Sequence, residues 1–306
     1  MLETVFLGKK FKNPLVNASG VLGVTADCMV DVIKQGAGGV TTKSIHINPR
    51  KGHKNPTILG LGKEIGMINA VGLSGEGIKN ASEEYSRFKT KLPNVPLIVS
   101  IYGGTFEEFE QVAKEAEKTY ADIIEVNISC PNVEDEFGRP FACDIISSQK
   151  VTEIVKKYCP SKSVVIKLSP NVSSIGTVAR AVEEAGADGI CAINTIGPGL
   201  VIDPYMRCPI LSNKVGGVSG PAMKPIALKC VWDIFKAVKI PIIGTGGIET
   251  GKDAIEMIMV GATLIGVGTA VYSRGIEVFG KIAKEMEEFM KEEKIKSLDE
   301  IRGVIE

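Results

Sequence analysis

What most constrains this chain is an alternation along its length. Short apolar runs at Pro14–Asn17, Gly39–Lys43, Leu97–Ser100, Ile123–Asn127, Val164–Leu168, Gly189–Asn194, Pro241–Gly244 and Thr263–Val267 are separated by stretches of helical period. Runs this short suit strands rather than buried helices. In the intervening stretches Phe109, Val112, Ala113 and Ala116, and again Val178, Ala181, Val182 and Ala185, recur at i, i+3, i+4 and i+7, so each presents one apolar stripe to a sheet. Strand followed by helix, repeated, predicts a parallel sheet of βαβ units. Eight strands predict an α/β fold of the (β/α)8 TIM-barrel class with extended strand-end loops. The 306 residues fit a single barrel domain of roughly 250 residues plus extensions, spanning residues 1–306. The pairs Gly36-Ala37, Gly186-Ala187 and Gly261-Ala262 each close a helical stretch just before a strand, where glycine supplies a left-handed cap. Ile276 to Met290 reads as the last helix.

Composition excludes several functions. Lys+Arg and Asp+Glu are 36 each, and no basic run supplies the footprint that nucleic acid or anionic lipid requires. No stretch approaches the ~18 apolar residues of a spanning helix, and Met1 to Lys12 has no apolar signal core. The seven cysteines are odd in number, and no two stand closer than Cys130 and Cys143. That spacing fits neither a disulfide framework nor a structural zinc or iron–sulfur site, so no metal and a reducing cytoplasm are expected.

Two connections, Ser44 to Gly77 and Thr195 to Gly220, are longer than turns and read as structureless binding loops. Both follow strands, at the end where barrels build their sites. The only histidines, His46 and His53, lie in the first of them, so acid–base work is expected from another residue type. Polar residues that end strands are the candidates: Lys43, Asn127, Lys167, Asn194 and Thr195. In Glu125-Val126-Asn127-Ile128-Ser129-Cys130-Pro131-Asn132-Val133 a strand runs into a polar turn that carries a cysteine. A lone cysteine is usually a small buried hydrophobe, but on such a turn it is accessible, and a thiol of pKa about 8.5 can take a proton. Gly244-Thr245-Gly246-Gly247 and Gly266-Val267-Gly268-Thr269 follow the last two strands. Such glycines either permit tight turns or expose amides to a phosphate, which barrels bind at this place. Lys43 and Lys167 either reach solvent or stand over an anion, such as a cofactor that gains negative charge on reduction.

The motif Asn127-Ile128-Ser129-Cys130-Pro131-Asn132-Val133 resembles the class 1 dihydroorotate dehydrogenases, FMN-containing barrels of pyrimidine (UMP) biosynthesis. The resemblance extends through Asn17-Ala18-Ser19-Gly20, Thr42-Lys43-Ser44, Gly66 to Leu73, Lys167-Leu168-Ser169-Pro170-Asn171, Ile193-Asn194-Thr195, Gly216 to Pro221 and Gly244-Thr245-Gly246-Gly247-Ile248. The later stretches are more similar to the 1B subclass than to the fumarate-using 1A enzymes. The resemblance implies that Cys130 removes the C5 proton of (S)-dihydroorotate while hydride passes from C6 to N5 of FMN. It implies substrate contacts from Lys43, Met67, Asn69, Ala70, Val71, Gly72, Leu73, Asn127, Asn132, Asn194 and Thr195. FMN contacts are implied for Ser19, Lys43, Ser44, Ser100, Asn127, Lys167, Ile193, Gly220, Gly246, Gly247, Gly268 and Thr269. The chain departs from the resemblance at Ser100, where the family often has asparagine, so the contact implied there is the one the resemblance supports least. The 1B likeness also implies a partner subunit that carries FAD and a [2Fe-2S] cluster and passes electrons to NAD, with a homodimer at the core of a heterotetramer. Asp135 to Ala142 is the candidate for a segment closing over substrate. Competing readings are a fumarate-coupled or other flavin-dependent pyrimidine dehydrogenase, a phosphate-binding barrel lyase with Lys43 or Lys167 as a Schiff base, and a non-catalytic barrel kept as an assembly partner.

Overall fold

A computed structural model describes residues 1–128 and 144–305. All eight expected strands are present: β1 (Leu15–Asn17), β2 (Val40–Thr41), β3 (Leu97–Ile101), β4 (Ile123–Asn127), β5 (Ser163–Lys167), β6 (Gly189–Ala192), β7 (Ile242–Thr245) and β8 (Leu264–Val267). They form one parallel sheet in the order β1-β8-β7-β6-β5-β4-β3-β2. Helices α1 (Ala26–Lys34), α2 (Ile78–Lys91), α3 (Phe106–Glu117), α4 (Ile145–Tyr158), α5 (Ile175–Glu184), α6 (Lys224–Ala237), α7 (Gly251–Met259), α8 (Ala270–Arg274) and α9 (Val278–Glu292) alternate with them. Phe109, Val112, Ala113 and Ala116 of α3 are fully buried, as their spacing predicts.

The ring closes between β1 and β2. A parallel bridge pairs Val16 with Gly39, and the Gly38 amide donates to the Leu15 carbonyl at 2.8 Å. Above that point a side chain takes over from the main chain. Asn17 Nδ2 donates to the Thr41 carbonyl at 2.7 Å, and Asn17 Oδ1 accepts from the Thr41 amide at 2.9 Å. Asn17 thus imitates a ladder pair where β2 is too short to supply one.

The opposite end is stoppered by a hairpin of Thr4–Phe6 with Lys9–Phe11. Its two-residue turn, Leu7-Gly8, has φ of 49° and 75°, the positive pair that matches strand twist. The hairpin's Phe6 and Phe11 meet edge to face with ring centres 6.5 Å apart. They pack on the lowest inward residues of the strands, among them Val16, Ile98, Ile123, Val165, Ile243 and Leu264. Glycine is required at Gly39, where a Cβ would lie 2.4 Å from the Phe11 ring.

The three repeated Gly-Ala pairs share one cap geometry. Gly36, Gly186 and Gly261 have φ of 110°, 95° and 115°. Each glycine amide and the alanine amide after it close the last helical turn, as in Ala37 to Val32, Ala187 to Val182 and Ala262 to Met257.

The two long connections are not structureless. Ile196–Leu200, Val215–Ser219, Gly66–Asn69 and Ile58–Gly62 form a four-stranded antiparallel sheet in that order. Gly217 pairs with Asn69, Val218 with Ile68 and Ser219 with Met67. Each segment supplies the other's hydrogen bonds across a large sequence separation, and their many glycines blur the two-residue alternation that marks a strand.

Asn17→Ala should leave the buried amide and carbonyl of Thr41 unpaired and lower unfolding free energy by about 2–4 kcal/mol. The urea midpoint measures it; a midpoint that does not move would place the seam's strength elsewhere.

Candidate active site

Alternation along each strand turns every second residue inward. At the stoppered end these residues are apolar, and one step higher they are polar. Ile98 is followed by Ser100, Ile123 by Glu125 and then Asn127, Val165 by Lys167, and Ile243 by Thr245. The polar layers open into a cavity of about 380 Å³ at the C-terminal ends of the strands, within the size range of small-ligand and cofactor sites.

Two ammonium groups face this cavity. Lys167, at the end of β5, is only 4% exposed, and its Nζ donates to Ser19 Oγ at 2.8 Å. Lys43, just after β2, donates to Ser74 Oγ at 2.8 Å, and burial holds its pKa below the ordinary lysine value. Among the described residues neither lysine has a carboxylate within 4.0 Å. A buried cation such as Lys167 is costly without an anion, and the half-buried Lys43 adds a second positive charge to the same cavity.

Around them stand donors and acceptors of fixed position. Asn127 Nδ2 donates to Ser44 Oγ at 3.0 Å, and Asn69 Nδ2 reaches the Gly217 carbonyl at 3.4 Å. Asn194 is tied to the strand end through its amide, which donates to Leu168, while its Oδ1 accepts from the Thr195 amide. The Asn69–Leu73 segment is held from outside the cavity. Tyr102 donates its hydroxyl to the Leu73 carbonyl at 2.7 Å, and Leu73 itself has φ of 53°. Tyr102 lies against His46, with ring centres 5.2 Å apart, and His46 Nε2 stands 3.1 Å from Glu108 Oε2. Burial works to raise the Glu108 pKa, but the Gly104 amide and His46 outweigh it and hold the carboxyl below its usual range.

On the side of the last two strands, backbone lines the cavity. Gly246 and Gly247 have φ of 130° and 73°. A Cβ at either would collide with α6, at Ala227 or Lys224 respectively, so only glycine lets the chain pass here. Gly268, Thr269 and Gly220 complete this wall, and Thr269 Oγ1 donates to Ser219 Oγ at 2.8 Å.

Of the residues singled out from sequence, Ser19, Lys43, Ser44, Met67, Asn69, Val71, Gly72, Leu73, Asn127, Lys167, Ile193, Asn194, Thr195, Gly220, Gly246, Gly247, Gly268 and Thr269 all line one cavity. Two do not. Ala70 is buried with Ile68 and Leu211 beneath the antiparallel sheet. Ser100 is fully buried one layer below the cavity floor. Cys130, Asn132 and the segment Asp135 to Ala142 lie outside the described residues. Sequence reading missed Ile58, Val218, Ser219 and Tyr272, which also line the cavity. Ser219 stood inside a quoted motif, whereas Ile58 and Tyr272 carry no local signal.

Comparison with known proteins identifies the family. The family model described as dihydroorotate dehydrogenase matches residues 1–290. A relative from Pyrococcus abyssi, named "Dihydroorotate dehydrogenase B (NAD(+)), catalytic subunit", is 46% identical, with 99% of each chain covered. Proteins of the same name from Methanocaldococcus jannaschii and from a Geobacter species are 45% and 40% identical; the matches cover 99% and 100% of this chain and 98% of each relative. With similarity of this extent along its whole length, the chain belongs to the dihydroorotate dehydrogenase family.

Proposed function

We propose that this chain is the catalytic subunit of an NAD-linked dihydroorotate dehydrogenase, oxidising (S)-dihydroorotate to orotate for pyrimidine biosynthesis with FMN as its flavin. The observation that carries the proposal is a pair of ammonium groups in one cavity, the buried Lys167 and the half-buried Lys43, without a carboxylate partner among the described residues. A barrel lyase would need one lysine; two cations flanked by asparagines suit a carboxylate-bearing imide and a flavin.

The donor set fits FMN. Glycines at residues 246, 247 and 268, with Thr269, offer main-chain amides to a phosphate beyond the last two strands, where barrels hold phosphate. Bound FMN supplies a hydride acceptor at N5 and gathers negative charge around N1 and the C2 carbonyl. Lys167, held by Ser19, would face that charge. Lys43 serves both flavin and substrate, and Ser74 sets the direction of its ammonium. Asn69, Asn127 and Asn194 match the alternating donors and acceptors of the pyrimidine edge, and Asn132 joins them. Cys130 takes the C5 proton as the base. Electrons leave through a partner subunit carrying FAD and a [2Fe-2S] cluster, consistent with the words "catalytic subunit" in the relatives' names.

Purified chain reconstituted with FMN should be yellow and should bleach when dihydroorotate is added; a flavin that stays oxidised would defeat the proposal. Cys130→Ala should retain FMN while flavin reduction slows about 10²–10⁴-fold in stopped flow, and an unchanged rate would remove Cys130 from the reaction.

Orotate binding should weaken as pH rises. Burial lowers the Lys43 pKa, so in the ligand-free protein the ammonium is present at low pH and lost as pH climbs through a value below the ordinary lysine range. Orotate Kd, read from the flavin spectrum, should therefore rise over that window, and Lys43→Arg should flatten the dependence because guanidinium keeps its proton. A wild-type Kd that is flat into the ordinary lysine range would contradict this role.

A further inference from the structure

One buried acid has no part in the scheme above. Glu125 points inward from β4, two residues before Asn127, and is 2% exposed. It does not line the cavity. Its Oε1 accepts a hydrogen bond from Ser100 Oγ at 2.8 Å. Ser100 Oγ also lies 2.9 Å from Ser44 Oγ, and Ser44 Oγ accepts from Asn127 Nδ2 at 3.0 Å. The four side chains make one continuous line from the barrel interior to the cavity wall, which Ser44 and Asn127 line.

Proton counting gives this line a direction. A carboxylate accepts hydrogen bonds and cannot donate them. Ser100 has a single hydroxyl proton, which goes to Glu125, so towards Ser44 it can only accept. Ser44 must then spend its own proton on Ser100 and can only accept from above. The partner above must therefore be an N–H, which fixes the side-chain amide of Asn127 with its nitrogen towards Ser44 and its oxygen on the other branch. The Ser100 amide donates to Thr42 Oγ1 at 3.0 Å and keeps Ser100 in register with β2. On the far side stands the Cys191 thiol of β6, which burial, and after it the charge of Glu125, pushes well above its ordinary pKa.

We propose that Glu125 is a positioning residue: acting through Ser100 and Ser44, its carboxylate sets which way the Asn127 amide presents donor and acceptor to the ligands of the cavity. The inference rests on the function proposed above, because the ligands are FMN and the pyrimidine. A flavin or imide edge carries a fixed donor and acceptor order, so a reversed Asn127 sets like against like. It also gives Ser100 a function. A hydroxyl that accepts once and donates once passes direction along, which a side chain in direct contact with the flavin would not need to do.

Glu125→Gln is the informative substitution because it keeps shape while adding a donor, so the line can run either way. With the FMN-reconstituted protein, orotate titrated against the flavin spectrum should bind about tenfold more weakly, the size of one misdirected hydrogen bond, with flavin stoichiometry kept. Ser100→Ala interrupts the same line and should give a similar loss. The double variant should then be no weaker than the worse single one, since both act through one chain of contacts. Additive losses, or an unchanged orotate Kd in Glu125→Gln, would overturn the proposal. If Glu125→Gln does not fold, Ser100→Ala decides alone, and an unchanged Kd there also overturns it. Failure of the underlying function looks different: the wild-type flavin would then show no spectral response to orotate.

Discussion

A closed ring of parallel strands fixes an inside, and everything at this site follows from that enclosure. Once Asn17 and the Val16–Gly39 bridge join the first strand to the second, inward residues of all eight strands point at a common axis and water is excluded from below by Phe6 and Phe11. Charge placed on that axis must then be neutralised by something the ring contains or by something that enters from the open end. Glu125 is met from within, by the Ser100 hydroxyl. Among the described residues Lys167 is met by a hydroxyl from the loop after β1, which orients it without cancelling its charge. The barrel thus keeps its anion satisfied and leaves its cations for a ligand.

Height along the axis separates the roles. Apolar side chains at the stoppered end supply burial, the Ser100–Glu125 layer supplies hydrogen-bond direction, and the Asn127–Lys167 layer meets the ligand. Because β4 and β5 pair Asn127 with Lys167 in register, the amide and the ammonium sit side by side at one level. The loop segment Asn69–Leu73 comes in from above. It is tied to the scaffold by Tyr102, itself at the end of β3, so a contact outside the cavity sets a backbone inside it. Lys43 links the two systems through Ser74, which follows that segment directly.

The parts of this arrangement legible in sequence are the local ones. Strand runs, helical stripes and Gly-Ala caps are each written within a few residues, and the caps at Gly36, Gly186 and Gly261 have the left-handed φ their positions require. Strand-end polar residues were legible for the same reason, because barrel topology assigns them to one face. The antiparallel sheet over the mouth was not, since Gly66–Asn69 finds its partner in Val215–Ser219, far along the chain, and neither segment alternates clearly. Nor was the hairpin stopper, whose strands are three residues each and read as an ordinary N-terminus. Glu125 was visible only as part of a strand motif, and nothing local distinguishes a structural acid from one that orients a neighbour.

Ser100 acts one layer below the cavity. Asparagine at the end of a strand can reach a ligand directly, because its amide is long and both donor and acceptor are terminal. Serine is shorter, and here it stays fully buried, so its hydroxyl cannot perform that contact. What it can do is join two other groups, since one oxygen both receives and gives a proton. Ser44 above and Glu125 below stand at 2.9 and 2.8 Å from that oxygen, distances at which an O–H group bonds well to each. The shorter side chain therefore joins an interior acid to the cavity wall, and the line ends in a fixed orientation at Asn127.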